Sequence, residues 1–66
     1  GKYAEALPFA RRAVEIQPND PAALGNLSIT LFSLDEIAEA RQYIEKALEI
    51  EPTNQINRAI YSHFVG

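Results

Sequence analysis

The sequence contains no cysteine, no methionine and no tryptophan, and it has a single histidine among its 66 residues. Without cysteine it can form no disulfide, and one histidine cannot make a metal site by itself. Disulfides and metal sites, which often stabilise small domains, are therefore not available to this chain. We predict no metal and no other cofactor. A core of this size barely outweighs the conformational entropy of folding, so close helix packing or neighbouring protein has to supply the remaining stability.

Long apolar segments are also missing. No stretch approaches the roughly 20 apolar residues that cross a bilayer, and no basic segment followed by an apolar one resembles a secretory leader. These absences favour a cytoplasmic protein that does not use a membrane as its partner. The absence of methionine leads us to expect that the chain is excised from a longer protein.

Positive charge is in short supply. Six lysine and arginine residues stand against nine aspartate and glutamate residues, which gives a net charge of −3. Such a surface repels a phosphate backbone instead of neutralising it. We therefore expect no nucleic acid partner.

The sequence does contain a repeat. The segment AVEIQPNDP, which begins at Ala13, returns as ALEIEPTNQ, which begins at Ala47. A shift of 34 residues superposes 1–20 on 35–54 with 7 identities, where unrelated chains give about one. The identical pairs are Ala4/Ala38, Glu5/Glu39, Ala6/Ala40, Ala13/Ala47, Glu15/Glu49, Ile16/Ile50 and Pro18/Pro52. We infer an array of repeated units.

The repeated units are predicted to be helical. Apolar residues recur at the spacing of one helix face, and the predicted helices span 3–16, 21–33, 36–50 and 55–65. Pro18 and Pro52 end two of them, since proline disfavours helix in the residue before it and cannot donate the next backbone bond. Asp20 and Asn54 are predicted N-caps for the helices that follow. Acids at 35–36 are expected to open the third helix.

Two of these helices have unusual compositions. Helix 21–33 has no charged residue and is apolar nearly all round, so it must be covered on more than one side. Pro8 lies beyond the first turn of helix 3–16, and we therefore expect a kink or a frayed start in that helix.

The order of these residues resembles the tetratricopeptide repeat. The run Leu24-x-x-Leu27-Ser28-x-x-Leu31, then Ala40-x-x-x-Ile44-x-x-Ala47, then Pro52, is similar to the family pattern W-x-x-L-G-x-x-Y, then A-x-x-x-F, then P. The departures are Leu24 for Trp, Ser28 for Gly, Leu31 for Tyr and Ile44 for Phe. The last helix fits less well, because Arg58 occupies a position that is usually a core residue.

The resemblance implies an all-α fold in which antiparallel helix-turn-helix repeats stack as a four-helix fragment of a right-handed α-solenoid. It implies a single domain over 1–66. Within it, 1–20 is the second helix of a repeat, 21–54 is one complete repeat, and 55–66 is the first helix of a further repeat or a capping helix.

The same resemblance implies a non-catalytic scaffold for protein–protein interaction. In that family the first helices of successive repeats line a concave groove that holds an extended peptide or a partner helix. The matching groove positions here are Ala22, Gly25, Ile29, Phe32, Ser33, Ile56, Ala59 and His63. Family members that clamp a terminal carboxylate use Lys, Arg and Asn there, and only Asn26 and Arg58 come near that pattern. The uncharged floor therefore predicts an apolar or helical protein ligand.

Catalytic interpretations are weaker than structural ones. His63 next to Ser62 suggests a catalytic pair, but adjacent residues on a helix point about 100° apart and do not face each other. We interpret one group of charges as a solvated face: the carboxylates of the third helix and of the residues that lead into it, together with Arg11 and Arg12. We predict no catalytic residue.

Several alternatives remain open at this stage. In one alternative, the proposed groove is part of an ordinary hydrophobic core that is covered by helices outside this chain or by a second copy. The chain is alternatively a structural repeat segment within or beside a larger multidomain protein, including an enzyme whose catalytic domain lies elsewhere. RNA-binding pentatricopeptide repeats are disfavoured by the acidic charge and by a 34-residue period, where that family typically shows 35. Apolar residues at both uncapped ends also predict self-association.

Overall fold

The computed structural model describes residues 1–65 as four α-helices. They are α1 (Lys2–Ile16), α2 (Pro21–Ser33), α3 (Ile37–Ile50) and α4 (Gln55–Val65). The predicted helices agree with these bounds to within one residue at each end. Gly66, the last residue of the predicted segment 55–66, lies outside the described residues.

Two helices start as the sequence predicts. The Asp20 carboxylate accepts a hydrogen bond of 3.0 Å from the backbone N–H of Ala22, and proline occupies the first position of α2. The Asn54 side-chain oxygen accepts a bond of 2.9 Å from the N–H of Asn57. Both predicted N-caps are therefore confirmed, and each satisfies one of the backbone donors that the first turn leaves unpaired.

The turn between α2 and α3 differs from the prediction. Asp35 has a φ of 66° and lies in the left-handed region, and the N–H of Glu36 donates to the Leu31 carbonyl at 2.9 Å. The Asp35 N–H donates to the Phe32 carbonyl at 3.0 Å, which completes a Schellman ending for α2. Asp35 and Glu36 therefore form the turn and the N-cap, and the first turn of α3 begins only at Ile37.

Pro8 does not interrupt its helix. α1 begins at Lys2, its first turn is closed by a bond from the Glu5 N–H to the Gly1 carbonyl, and it continues through Pro8. The expected frayed start is therefore absent. Proline withholds a donor only from the Ala4 carbonyl, and Ala4 is exposed, so water can solvate that group.

The core is formed where α2 packs against α3. α2 contacts the other three helices and carries most of the buried side chains. The fully buried core residues are Leu24, Leu27 and Leu31 of α2 and Ala40, Ile44 and Ala47 of α3. Small residues let the two helices approach, and the Ser28 hydroxyl donates to the Ala40 carbonyl at 2.7 Å across the contact.

The four helices do not close into a bundle. Within residues 1–65, α1 contacts α2, and α4 contacts α2 and α3, but the backbones of α1 and α4 do not meet. The molecule is about 17 Å thick in its shortest direction, against 30 and 28 Å in the other two. That thickness corresponds to two layers of helices, each about 10 Å across. The arrangement is an all-α stack of helical repeats.

No helix within residues 1–65 combines the length and the apolar character needed to cross a bilayer.

Candidate protein-binding groove

The structure brings α2 and α4 side by side, so that residues 31 and 32 positions apart in sequence become neighbours. The ring of Phe32 lies 5.7 Å from the ring of His63 and 5.1 Å from that of Phe64, centroid to centroid. The Phe32–Phe64 pair is edge-to-face, a favourable arrangement for aromatic rings. These contacts join the carboxyl-terminal halves of the two helices.

The amino-terminal halves of α2 and α4 border a small depression. It is lined by Ala22, Asn26, Asn54, Ile56 and Asn57. Ile56 is 74% exposed, although it is a large apolar side chain. We use the term groove face for the surface between α2 and α4 that carries this depression, and we expect the sequence-predicted positions to line it.

The predicted groove residues differ in their access to solvent. Ile29 and Phe32 are half-buried, and Gly25 is buried. The others are exposed: Ala22, Ser33, Ile56, Ala59 and His63. Seven of the eight positions therefore offer some side-chain surface, and Gly25 does not.

Gly25 instead sets the distance between α2 and α4. A Cβ at this position would overlap the side-chain oxygen of Asn57 and lie 3.0 Å from its Cγ. Asn57 is almost completely buried, and its side-chain N–H donates to the Pro21 carbonyl at 3.0 Å. The glycine makes room for this buried amide, and the amide ties α4 to the first turn of α2.

Sequence reasoning missed Asn57. The signal that was available is Gly25 itself, because glycine inside a helix is costly and commonly marks a close approach by another group.

Charge is almost absent from the groove face. α2 has no charged residue. Arg58, considered above for a carboxylate clamp, lines a different depression with Leu48 and Tyr61, between α3 and α4. Asn26 alone of the two clamp candidates lies at the groove face, so the arrangement offers no fixed cation for a terminal carboxylate.

The candidate catalytic pair is not assembled. The Ser62 hydroxyl donates to the Ala59 carbonyl at 2.6 Å, within its own helix, and the His63 ring lies against Phe32. In the described part of the chain, no three His, Asp or Glu side chains come together as a potential metal site.

Two charges assigned to a solvated face are paired across helices. Arg11 of α1 donates to both carboxylate oxygens of Glu39 in α3, at 2.6 and 3.1 Å. This hydrogen bonding raises the pKa of Arg11 and lowers the pKa of Glu39. Both side chains keep a third or more of their surface exposed, in agreement with a solvated face. Their pairing was not predicted, because it joins residues 28 positions apart in sequence.

Comparison with known proteins agrees with this architecture. A tetratricopeptide repeat family model matches residues 1–60. The chain is 29% identical over 55 residues to Protein CTR9 homolog of Arabidopsis thaliana, covering 82% of this chain and 5% of that protein. It is 40% identical over 38 residues to Anaphase-promoting complex subunit CDC16 of Saccharomyces cerevisiae, covering 58% of this chain and 4% of that protein.

The chain thus spans about a twentieth of the length of these relatives. No solved structure gives a significant match. The family match covers nearly the whole chain and agrees with its stacked antiparallel helices. The chain belongs to the tetratricopeptide repeat family.

Proposed function

We propose that this chain is a non-catalytic scaffold that holds a protein segment on its groove face. The observation that carries the proposal is Ile56, a large apolar side chain left 74% exposed beside the uncharged helix α2. Family membership supports the same class of function, and one relative is by its name a subunit of a complex. The predicted division into 1–20, 21–54 and 55–66 belongs to this proposal.

The chemistry of the groove face favours an apolar ligand. Ile56, Ile29 and Phe32 offer apolar surface, and the neighbouring Ala22 and Ala59 are small enough to let a backbone approach. Burial supplies about 25 cal/mol per Å² before the costs of association. An amphipathic helix or an extended apolar peptide would bury this apolar surface on binding. A terminal carboxylate would have no positively charged side chain on the groove face to pair with.

The test is selection of apolar peptides from a display library on the chain, followed by measurement of their affinity for an Ile56→Glu variant. Covering an isoleucine side chain contributes about 1.5–3 kcal/mol, so we expect the affinity to fall about 10- to 100-fold. Far-UV circular dichroism checks that the variant remains helical, which we expect because Ile56 is exposed.

The matched control is Phe9→Glu. Phe9 is 78% exposed and lies on α1, whose backbone does not contact that of α4. This variant introduces the same charge at an equally exposed apolar position away from the groove face, so peptide affinity should not change. Equal losses in both variants, or no loss in Ile56→Glu, would contradict the proposal.

A second candidate is a structural repeat segment within or beside a larger multidomain protein, including an enzyme. The observation that favours it is the small share of each relative that the chain covers, 5% and 4%. In this case neighbouring protein covers the groove face permanently. Failure of the library to yield any binder that depends on Ile56 would favour this candidate over the first.

A further inference from the structure

We propose that the depression between the amino-terminal halves of α2 and α4 is a hydrogen-bonding subsite that takes a primary amide, such as the side chain of an asparagine or glutamine in a bound protein segment. This inference rests on the function proposed above and deepens it, because it adds one polar requirement to an otherwise apolar ligand. The residue that carries it is Asn57, through its side-chain oxygen.

The surroundings of Asn57 decide which end of its amide is available. Its side-chain nitrogen donates to the Pro21 carbonyl at 3.0 Å, and a carbonyl can accept only from a donor, so the nitrogen has to face Pro21. The side-chain oxygen lies against Gly25, only 2.0 Å from the place that a Cβ would occupy. The orientation of the amide is therefore fixed on both sides.

The Asn57 oxygen has no donor from the protein. Within residues 1–65 no completely buried side-chain oxygen or nitrogen is without a partner, and the hydrogen bond of this side chain is made by its nitrogen. The oxygen therefore keeps some contact with the outside, although Asn57 as a whole is only 2% exposed. Because Asn57 lines the depression, we place this contact there. An acceptor that is nearly withdrawn from water favours a ligand that brings a donor.

The other side chains of the depression are uncharged. It is lined by Ala22, Asn26, Asn54, Ile56 and Asn57. The Asn54 amide is already engaged, since its nitrogen donates to the Glu51 carboxylate at 2.7 Å and its oxygen accepts from the Asn57 backbone N–H. The Asn26 side chain is exposed, and its amide supplies both donors and an acceptor. The depression thus combines one nearly buried acceptor with one accessible amide.

A primary amide matches these groups better than a charged group does. Its NH₂ group can donate to the Asn57 oxygen, while its own oxygen accepts from the Asn26 amide. A carboxylate would bring negative charge against the Asn57 oxygen. An ammonium would lose water without gaining a charged partner, since no charged side chain lines the depression. The neutral group with both donor and acceptor is therefore favoured.

The size of the depression agrees with this choice. Its volume is about 90 Å³. A water molecule takes up about 30 Å³ in the liquid, so the depression has room for roughly three waters. A carboxamide has three non-hydrogen atoms and is of similar size. An asparagine or glutamine side chain can therefore enter, while an apolar neighbour in the same ligand covers Ile56 at the edge.

The experiment is a titration of the isotope-labelled 66-residue chain with propionamide, followed by two-dimensional NMR. We expect saturable shifts of the Gly25 backbone N–H and of the side-chain NH₂ signals of Asn26 and Asn57, with half-saturation at millimolar concentration for so small a molecule. Propionate and propylammonium, which also have three carbons but carry opposite charges, should give no saturable shift at these signals.

Two variants test the assignment to these amides. Asn57→Ala and Asn26→Ala should each raise the half-saturation concentration of propionamide about fivefold, the effect of one neutral hydrogen bond. Because Asn26 is exposed, Asn26→Ala should keep the fold even where Asn57→Ala disturbs it. The matched control is Gln42→Ala, which removes an exposed primary amide from α3 and should leave propionamide binding unchanged.

Propionamide binds without any peptide, so failure of the subsite and failure of the proposed function are distinguishable. Peptide binders that depend on Ile56, together with no saturable shift from propionamide, would overturn the subsite and leave the groove function intact. Saturable propionamide binding without any such peptide would support the subsite and contradict the groove function. Equal shifts from all three small molecules, or unchanged binding in both asparagine variants, would also overturn the subsite.

Discussion

Replacing Gly25 with alanine should destabilise the protein, even though alanine is the better helix former. Gly25 lies inside α2, so helix propensity alone predicts a gain of about 1 kcal/mol. The new Cβ would overlap the Asn57 side-chain oxygen, and it would force a buried amide out of place. The sign of the result depends on which of these effects is larger.

The cost of displacing the Asn57 amide outweighs the gain in helix propensity. Displacing Asn57 breaks its 3.0 Å hydrogen bond to the Pro21 carbonyl and leaves buried polar groups unpaired, at a cost of about 1–3 kcal/mol. Forcing extra volume into the contact costs a further 1–3 kcal/mol or so. After subtracting the propensity gain, we expect Gly25→Ala to lower the free energy of unfolding by about 1–5 kcal/mol, with a central value near 3 kcal/mol. For a domain of this size the central value lowers the Tm by roughly 12–24 °C.

The measurement is urea unfolding followed by circular dichroism, at a concentration low enough to keep the chain monomeric. A double-mutant cycle with Asn57→Ala is the control, since alanine is the residue found 34 positions earlier at Ala23. Once the amide is removed, Gly25→Ala has room for its methyl group, and it should raise stability by about 1 kcal/mol. A stabilising effect of Gly25→Ala in the natural chain, or an equal cost in both backgrounds, would refute this reasoning.

Three other substitutions have expected signs. Asp35→Gly should raise the free energy of unfolding by about 1 kcal/mol in urea titration, because glycine adopts the left-handed backbone at φ 66° without penalty. Asp20→Ala should lower it by about 1 kcal/mol, because the Ala22 N–H loses its acceptor, whereas Asp20→Asn should lose much less. Glu39→Gln should cost at most about 1 kcal/mol at pH 7, since both side chains of its ion pair with Arg11 are at least a third exposed. Folding lowers the pKa of Glu39, so the ion pair stabilises the folded state only while this carboxyl is ionised. The difference in unfolding free energy between Glu39→Gln and the unsubstituted chain should therefore be complete above the ordinary carboxyl pKa near 4.5. It should disappear as the pH falls through the lowered pKa of the folded state.

The sequence predicts the helices well because their signals are local. Pro18 and Pro52 end helices through their own ring geometry, and Asp20 and Asn54 cap the following helices through side chains only two or three residues away from their donors. The 34-residue period then orders the helices without any knowledge of contacts. The repeat family and the four helices follow from these features alone.

The features that the sequence did not predict depend on distances between helices. The Arg11–Glu39 pair joins residues 28 positions apart, and the period does not say which of several exposed charges come within bonding distance. The sequence assigns Gly25 to the groove because it lies on the same face of α2 as the other predicted groove residues. Helical spacing cannot show that a side chain from α4 fills the space above it. Membership of the groove face remains a prediction for the exposed positions.

The lack of contact between the first and last helices affects how the molecule comes apart. The backbone of α2 meets those of all three other helices, whereas α1 is held by its packing on α2 and by the Arg11–Glu39 ion pair to α3. Within residues 1–65 no backbone contact joins α1 to α4, so opening can begin at either of these helices while the middle stays folded. Amide protons in α2 should exchange most slowly, and a chain pulled by its termini would peel from the outside inward. Resistance to such opening would grow with every unit added to the array.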